Sequence, residues 1–278
     1  MRLSKKFKKS KAPEWHQSLG KIAPAAKKAD HWPPSLYDIP FGQSNGRETY
    51  MKVHCAISRD QFEDNSLNGI YKPVPENHNL IEFSRMHNKE PKPEEFLGRL
   101  QRVGEQYGWD RRNHFQNIKQ VKGFMKHPDT RIWALVVDGH EVGFGISKGL
   151  ERSGQGFEKQ KAVNLFLDKH DMPQNSSFIE FFKFGLYPEY TNKGWGGPFF
   201  TSILANLLRD HDVVYFDTRD NNHAGVLKFY ENLKIDAFYA EELKSDLVKK
   251  APNWKPKNYM DQSNFIQFNR GQHLDLSG

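Results

Sequence analysis

Apolar residues fall in short runs separated by polar stretches, and the period of each run selects its element. Tyr50–Ser58 (YMKVHCAIS) alternates as a strand. Within 91–109, Phe96, Leu97, Leu100 and Val103 recur at helical spacing behind Pro91 and Pro93, which predicts a helix. Residues 112–126 predict a second helix, stopped by Pro128. The period then shortens. Arg131–Val137 (RIWALVV) and Glu141–Lys148 (EVGFGISK) read as two strands joined by Asp138-Gly139, a hairpin dipeptide. Phe178–Tyr187 (FIEFFKFGLY) is a further strand, and Gly194–Arg209 is a helix with Phe199, Phe200, Ile203, Leu204 and Leu207 on one side. Val213–Thr218 predicts a strand, 222–233 a helix, and Ile235–Tyr239 and Phe265–Phe268 the last strands. The segment 59–79 reads as a polar loop. Residues 149–176 read as an irregular insertion in which Ala162–Leu167 can form a short helix. One strand–helix–strand unit inside an otherwise mixed order predicts an α/β (α+β) chain, its sheet covered on both faces.

Composition narrows this picture. Of 278 residues only 37% are apolar, yet 13% are aromatic, which excludes a wholly disordered chain. A single cysteine, Cys55, excludes an internal disulfide framework and a multi-cysteine zinc site. The 12 histidines show no metal-binding spacing, so no metal is expected. No apolar run approaches the roughly 18–20 residues of a membrane span, and the N-terminus lacks the apolar core of a secretory signal. A soluble, cytoplasmic protein is the expectation.

Charge is unevenly placed. Residues 1–30 hold nine basic and two acidic residues, whereas the remainder carries 32 of each sign. Residues 1–46 also carry five prolines, lack apolar periodicity and end in Gly42-Gln43-Ser44-Asn45-Gly46. They read as a basic N-terminal arm preceding a domain at 47–278. Residues 1–30 could hold nucleic acid, an acidic membrane surface or an acidic partner; the plain alternative is a solvated arm.

The chemistry concentrates between Ile179 and Tyr230. A strand runs into Pro188-Glu189-Tyr190-Thr191-Asn192-Lys193-Gly194-Trp195-Gly196-Gly197-Pro198, and a helix follows at once. Glycines let the backbone approach a ligand, and the first N–H groups of a helix have no internal partner, so this order forms an anion cradle. No Gly-Lys-Ser/Thr is present, which excludes a P-loop nucleotide site. Gly194-x-Gly196 without an earlier glycine does not make the dinucleotide fingerprint. On its own the glycine run also fits a tight strand-to-helix connection.

With its surroundings, the stretch resembles the acetyl-CoA site of the GNAT (GCN5-related N-acetyltransferase) superfamily. Thr191-Asn192-Lys193-Gly194-Trp195-Gly196 is similar to that family's phosphate loop. VVYFDTRDNNHAGVLKFYENLKIDAF is similar to its later strand and tyrosine-bearing helix, with Tyr230 in the tyrosine's place. A bacterial branch with no settled substrate is resembled most, through Val103-Gly104 to Trp109 and Arg112, and through Phe184–Glu189. Two positions depart from the family. Thr191 stands for the usual Gln or Arg, with Lys193 as the compensating charge, and Lys234 stands for a usual Gly.

The resemblance implies a mixed, mostly antiparallel central sheet flanked by helices, and acetyl-CoA as cosubstrate without a metal. It implies attack of an acceptor amine on the thioester. Asn192, Lys193, Gly194, Trp195, Gly196 and Gly197 would then bind the pyrophosphate. The backbone of Phe184 and Leu186 would pair with the pantetheine arm, and Asn222 would lie beside it. Tyr230 would be the general acid; its plain alternative is a buried aromatic beside Phe229. Glu180 is the candidate base, because strict alternation puts residues 180, 182, 184 and 186 on one strand face. Its alternative is an ion pair with a neighbouring cation. His223 is the second candidate base, and Asn222 is also a candidate helix cap. A reading from another class is a nucleic-acid-associated protein that uses the basic arm, its acyltransferase fold modifying the polymer or inactive.

Overall fold

The computed structural model describes residues 35–38, 49–72, 74–75, 78–82, 92–104, 118–126, 129–149, 155–220 and 222–244. The chain divides after Pro33, and every described residue belongs to the unit that begins at Pro34. The elements run β1 (Thr49–Ser58), α1 (Arg59–Leu67), β2 (His78–Glu82), α2 (Pro93–Gly104), α3 (Ile118–Met125), β3 (Arg131–Val137) and β4 (His140–Lys148). There follow α4 (Gln155–Lys169), β5 (Phe178–Leu186), α5 (Gly196–Leu208), β6 (Val213–Arg219), α6 (Val226–Asn232) and β7 (Asp236–Lys244).

Seven strands form one sheet in the order β2-β3-β4-β5-β6-β1-β7. Every neighbouring pair is antiparallel except β5 and β6, which are parallel. The α/β reading with a mixed, mostly antiparallel sheet therefore holds. The slot between β6 and β7 is filled by β1, from the other end of the domain. The candidate strand Phe265–Phe268 lies outside the described residues, as do Trp109 and Arg112.

Helices cover both faces. On one face, Phe96, Leu97, Leu100 and Val103 of α2 and Val121 of α3 bury against Ile132, Ala134, Val136, Phe144 and Ile146. On the same face, Ala162, Val163, Phe166 and Leu167 of α4 bury against Ala56, Val213 and Tyr215. The opposite face is covered by α5, where Phe200 meets Phe181 and Phe216 with ring centroids 5.2 and 5.6 Å apart. Each such side chain contributes about 1.5–3 kcal/mol through burial.

Three elements differ from the sequence reading. Residues 59–67 are helical, not looped. This helix is solvent-facing and has no apolar stripe to betray it, but Ser58 and Gln61 form a reciprocal capping box. The helix sought at Ala162–Leu167 is the buried portion of the longer α4, and β2 is an edge strand absent from the pattern reading. Of residues 1–46, positions 35–38 and no others are described. They form one 3₁₀ turn, in which the Tyr37 hydroxyl donates to the Ile235 carbonyl and accepts the Ala237 N–H at 3.1 Å.

A buried ion pair fixes the far end of β5. The Arg99 guanidinium donates to both oxygens of Glu141 at 2.8 and 2.9 Å, and the Tyr187 hydroxyl donates to the same carboxylate. Arg102 lies over the Tyr187 ring, 3.9 Å from its centroid. Removing one partner of such a pair typically costs about 3–5 kcal/mol. The helix α2, the strand β4 and the exit of β5 are thereby locked together just before the glycine-rich loop.

Candidate functional site

The site begins where β5 and β6 part. They pair only at Phe178↔Val213, Ile179↔Val214 and Glu180↔Tyr215. Beyond Glu180, β5 stays on β4 as far as Leu186↔Gly143, while β6 stays on β1 as far as Arg219↔Lys52. Among the described residues, no strand pairs with the β6-facing edge of β5 from Phe181 to Leu186, which leaves the backbone of Phe184 to Leu186 on that edge for a ligand.

A β-bulge accompanies the divergence. Ile146 pairs with Lys183 and Ser147 with Phe181, which leaves Phe182 as an extra residue on β5. Bulges bend a strand and increase its twist. They also reverse the alternation, and this corrects the shared-face reading for Glu180. Phe184 and Leu186 point to the α5 side, with Phe184 ring-to-ring with Phe199 at 5.2 Å. Glu180 points to the opposite side. There it is buried and pairs with Lys159 of α4, with Lys148 at 3.8 Å.

Between the parted strands lies a cavity of about 460 Å³. Its walls bring together Phe184, Leu186, Asn192, Gly194, Gly196, Gly197, Asn222 and Tyr230. Glu180, Lys193 and Trp195 do not line it. Lys193 lies over the rings of Tyr190 and Trp195, at 5.1 and 5.6 Å. The Thr191 hydroxyl is committed to the Pro188 carbonyl at 2.8 Å.

The glycine-rich loop has the geometry of an anion cradle. Asn192 and Gly194 adopt left-handed backbone, with φ of 60° and 82°, which turns the loop back onto the head of α5. Trp195 is the N-cap residue and makes no side-chain capping bond. Phe199 is bonded back to the Trp195 carbonyl, and Pro198 has no N–H, so Gly196 and Gly197 carry the helix's orphan donors. A Cβ built on Gly197 would meet nothing within 4 Å, and one on Gly196 only Leu186 and Phe229 at 3.8 Å. Neither glycine is required by protein contacts. The space above them belongs to the cavity, and this donor set fits a pyrophosphate.

Tyr230 lies on α6 with its ring 4.9 Å from Phe216 and 5.6 Å from Phe200. Burial pushes its phenol well above the ordinary range, with the charges of Cys55 and Asp217 adding to the shift. It keeps its proton at neutral pH. Asn222 does not cap α6, whose N-cap is Gly225; its amide donates instead to the Thr218 hydroxyl at 2.8 Å. His223 lines the cavity, but its Nδ1 accepts the Gly225 N–H at 3.0 Å. In the neutral ring the proton then sits on Nε2, which leaves no free base nitrogen.

Alternation alone did not single out the charged residues of the opposite wall: Lys183, Asp217 and Arg219. Burial raises the Asp217 carboxyl, but Lys52, Lys159 and Arg219 outweigh it and hold the group well below the carboxylate range. Lys52 and Lys159 each stand 3.7 Å from it. Behind this wall, His54 accepts from Tyr215 at Nδ1 and donates to Glu241 at Nε2, at 2.7 and 2.8 Å. Among the described residues no cluster of side chains could hold a metal ion, and no helix is long and apolar enough to cross a membrane.

No family model matches the chain, and no curated protein matches it in sequence. Solved structures resemble it in outline. One is a tandem GNAT protein from the clavulanic acid biosynthesis pathway, with a TM-score of 0.42 and 11% identity, covering 71% of this chain and 54% of that one. A GCN5-related N-acetyltransferase from Sphaerobacter thermophilus gives 0.41 and 10%, covering 73% and 56%. A GCN5-related N-acetyltransferase-like protein from Streptococcus suis gives 0.38 and 13%, covering 71% and 62%. The chain thus spans less than two thirds of the length of each. Likeness at this level assigns no activity; that rests on the residues of the cavity.

Proposed function

We propose that the chain is an N-acyltransferase of the GNAT type, moving an acetyl group from acetyl-CoA to a primary amine by direct attack in a ternary complex. One observation carries the reading: the edge of β5 from Phe184 to Leu186, with which no described strand pairs, the orphan donors at the head of α5 and Tyr230 all line one cavity. The N–H groups of Gly196 and Gly197 suit the pyrophosphate, helped by the helix dipole. The β5 edge from Phe184 to Leu186 suits the amide-bearing pantetheine arm, which would add as a strand does. Bound there, the thioester supplies an activated acyl carbon.

Tyr230 is the acid in this reading. Its proton is retained by burial and is available to the departing sulfur. Glu180 is held by Lys159 outside the cavity, and Asp217 stays ionised and weakly basic. With neither carboxylate as base, the amine loses its proton to solvent before it attacks. Turnover then climbs with pH until the acceptor's own ionisation is complete.

Calorimetry with coenzyme A tests the reading at its base. Saturable 1:1 binding, together with thiol release from acetyl-CoA when an acceptor amine is supplied, is the expected result. A folded protein that binds no coenzyme A would refute it.

A further inference from the structure

The closed end of the cavity is built from aromatic rings, and this bears on the acyl group. β5 and β6 last pair at Glu180↔Tyr215, so Phe181 and Phe216 are the first residues past the point where the strands part. Both line the cavity and both are buried. Their rings stand edge to face, with centroids 6.5 Å apart. Phe200 of α5 packs on each of them, at 5.2 and 5.6 Å, and Tyr230 of α6 packs on Phe216 at 4.9 Å. Rings from two strands and two helices thus form one continuous cluster at the apex. The cluster has little slack. A Cβ built on Gly145 of β4 would come within 3.2 Å of the Phe181 ring and 2.6 Å of Ile203, so that ring already occupies the space the glycine leaves. Phe216 is backed in the same way by Phe200 and Tyr230. Interiors packed like this are as dense as organic crystals, and an added methylene forces side chains off their rotamers.

We propose that Phe181 and Phe216 are the stop that sets the length of the transferred acyl group, restricting the donor to short thioesters, acetyl or propionyl. The inference rests on the acyltransferase reading and adds the donor class and the residues that select it. The direction of the ligand follows from the ends already placed. A Cβ on Gly196 would lie 3.8 Å from Leu186, so the pyrophosphate cradle stands at the Leu186 end of the β5 edge. A pantetheine arm running from there along the edge to Phe184 heads for the apex. Tyr230, the group beside the departing sulfur, belongs to the ring cluster itself, so an acyl chain that starts there heads into the Phe216 and Phe181 rings. Phe184 to Phe181 is about 10 Å of strand, shared by the thiol end of the arm, the sulfur and the acyl carbons. An acetyl methyl gains apolar contact with the rings, whereas a longer chain has to displace one.

Calorimetry of the full-length protein with coenzyme A and its acetyl, propionyl, butyryl and hexanoyl thioesters reads the stop without an acceptor. Acetyl-CoA should bind at least as tightly as coenzyme A. Butyryl- and hexanoyl-CoA should bind roughly 10- to 200-fold more weakly than acetyl-CoA. Phe216→Leu and Phe181→Leu shorten the wall but keep it apolar, and each should erase most of the penalty on butyryl-CoA. Phe166→Leu, the same change in the cluster under α4, should leave the ranking of the thioesters as it was. Hexanoyl-CoA bound as tightly as acetyl-CoA by the wild type would overturn the proposal, because the chain would then have another way out of the apex. So would a penalty on butyryl-CoA that survives in whichever leucine variant folds. Failure of the wild-type protein to bind coenzyme A itself would instead sink the acyltransferase reading.

Discussion

Gly197 offers a perturbation whose effects on stability and on binding have opposite signs. A Cβ at this position meets nothing within 4 Å, so a side chain enters the cavity without displacing protein atoms. The residue is the second of α5, a helix of 13 residues whose first turn holds no acidic group. Gly197→Asp replaces a poor helix former with a slightly better one and puts a negative charge at the positive end of the helix. Together these stabilise the protein by about 0.5–1 kcal/mol. For a domain of this size the melting temperature should rise by about 1–3 °C. The same carboxylate occupies the cradle and repels a pyrophosphate. Losing one or both charged backbone contacts costs about 1.5–3 kcal/mol each, so coenzyme A affinity should fall at least about 100-fold. Differential scanning fluorimetry without and with coenzyme A reads both effects in one plate. Wild type should show a ligand-induced rise, near the equivalent of 2.7 kcal/mol at a hundredfold excess over Kd. The variant should start higher and not respond. A stable Gly197→Asp protein that binds coenzyme A within twofold of wild type would refute the cradle.

The same geometry sets four other outcomes. Tyr230→Phe keeps the ring in its aromatic nest, so coenzyme A affinity should stay within about twofold while kcat falls by about 10²–10⁴, the range for a general acid; unchanged turnover would remove the assignment. Glu180→Gln should destabilise the fold by about 3 kcal/mol, because it leaves Lys159 buried against half its counter-charge, and Glu180→Gln/Lys159→Met should regain most of that in denaturant melts; turnover that stays lost in a restabilised double variant would return Glu180 to proton transfer. Stability should fall as pH drops below about 6.5, because burial lowers the His54 pKa and the unfolded chain binds the proton more readily, and His54→Gln should flatten that limb of a Tm–pH profile. A second fall, below about pH 4, should follow protonation of Asp217, whose contribution is whole above the ordinary carboxylate pKa and is lost as pH drops through its depressed one.

What the chain disclosed about itself depended on whether a residue's partner was local. Strands β3, β4, β5 and β6 are apolar runs with turn residues between them, and their boundaries shift by only a residue or two. The head of α5 was legible for the same reason, since Gly194 to Pro198 stand beside the orphan N–H groups they leave open. Helix α1 was invisible to periodicity because it buries none of its residues, and only the Ser58–Gln61 box marked it. The course of β1 between β6 and β7 is a long-range pairing that no local pattern encodes. Asn222 was a plausible cap by position, but the helix starts later and the amide turns to Thr218 instead.

The bulge at Phe182 had the largest consequence for the chemistry. Strict alternation along FIEFFKFGL put Glu180 on the face of Leu186, beside the thioester. One extra residue reverses that parity, sends Glu180 towards Lys159 and puts Lys183 beside Phe182. A run of three phenylalanines within four residues conceals the inserted one, because any of them can be buried on either face. The same insertion bends β5 away from β6 and opens the cavity. The carboxylate is thus turned away from the cavity by the distortion that makes room for a ligand. With Glu180 turned to Lys159 and Asp217 held in its weakly basic, ionised form, a site built this way has little means of pulling a proton from an ammonium group, so turnover should follow the acceptor's own ionisation.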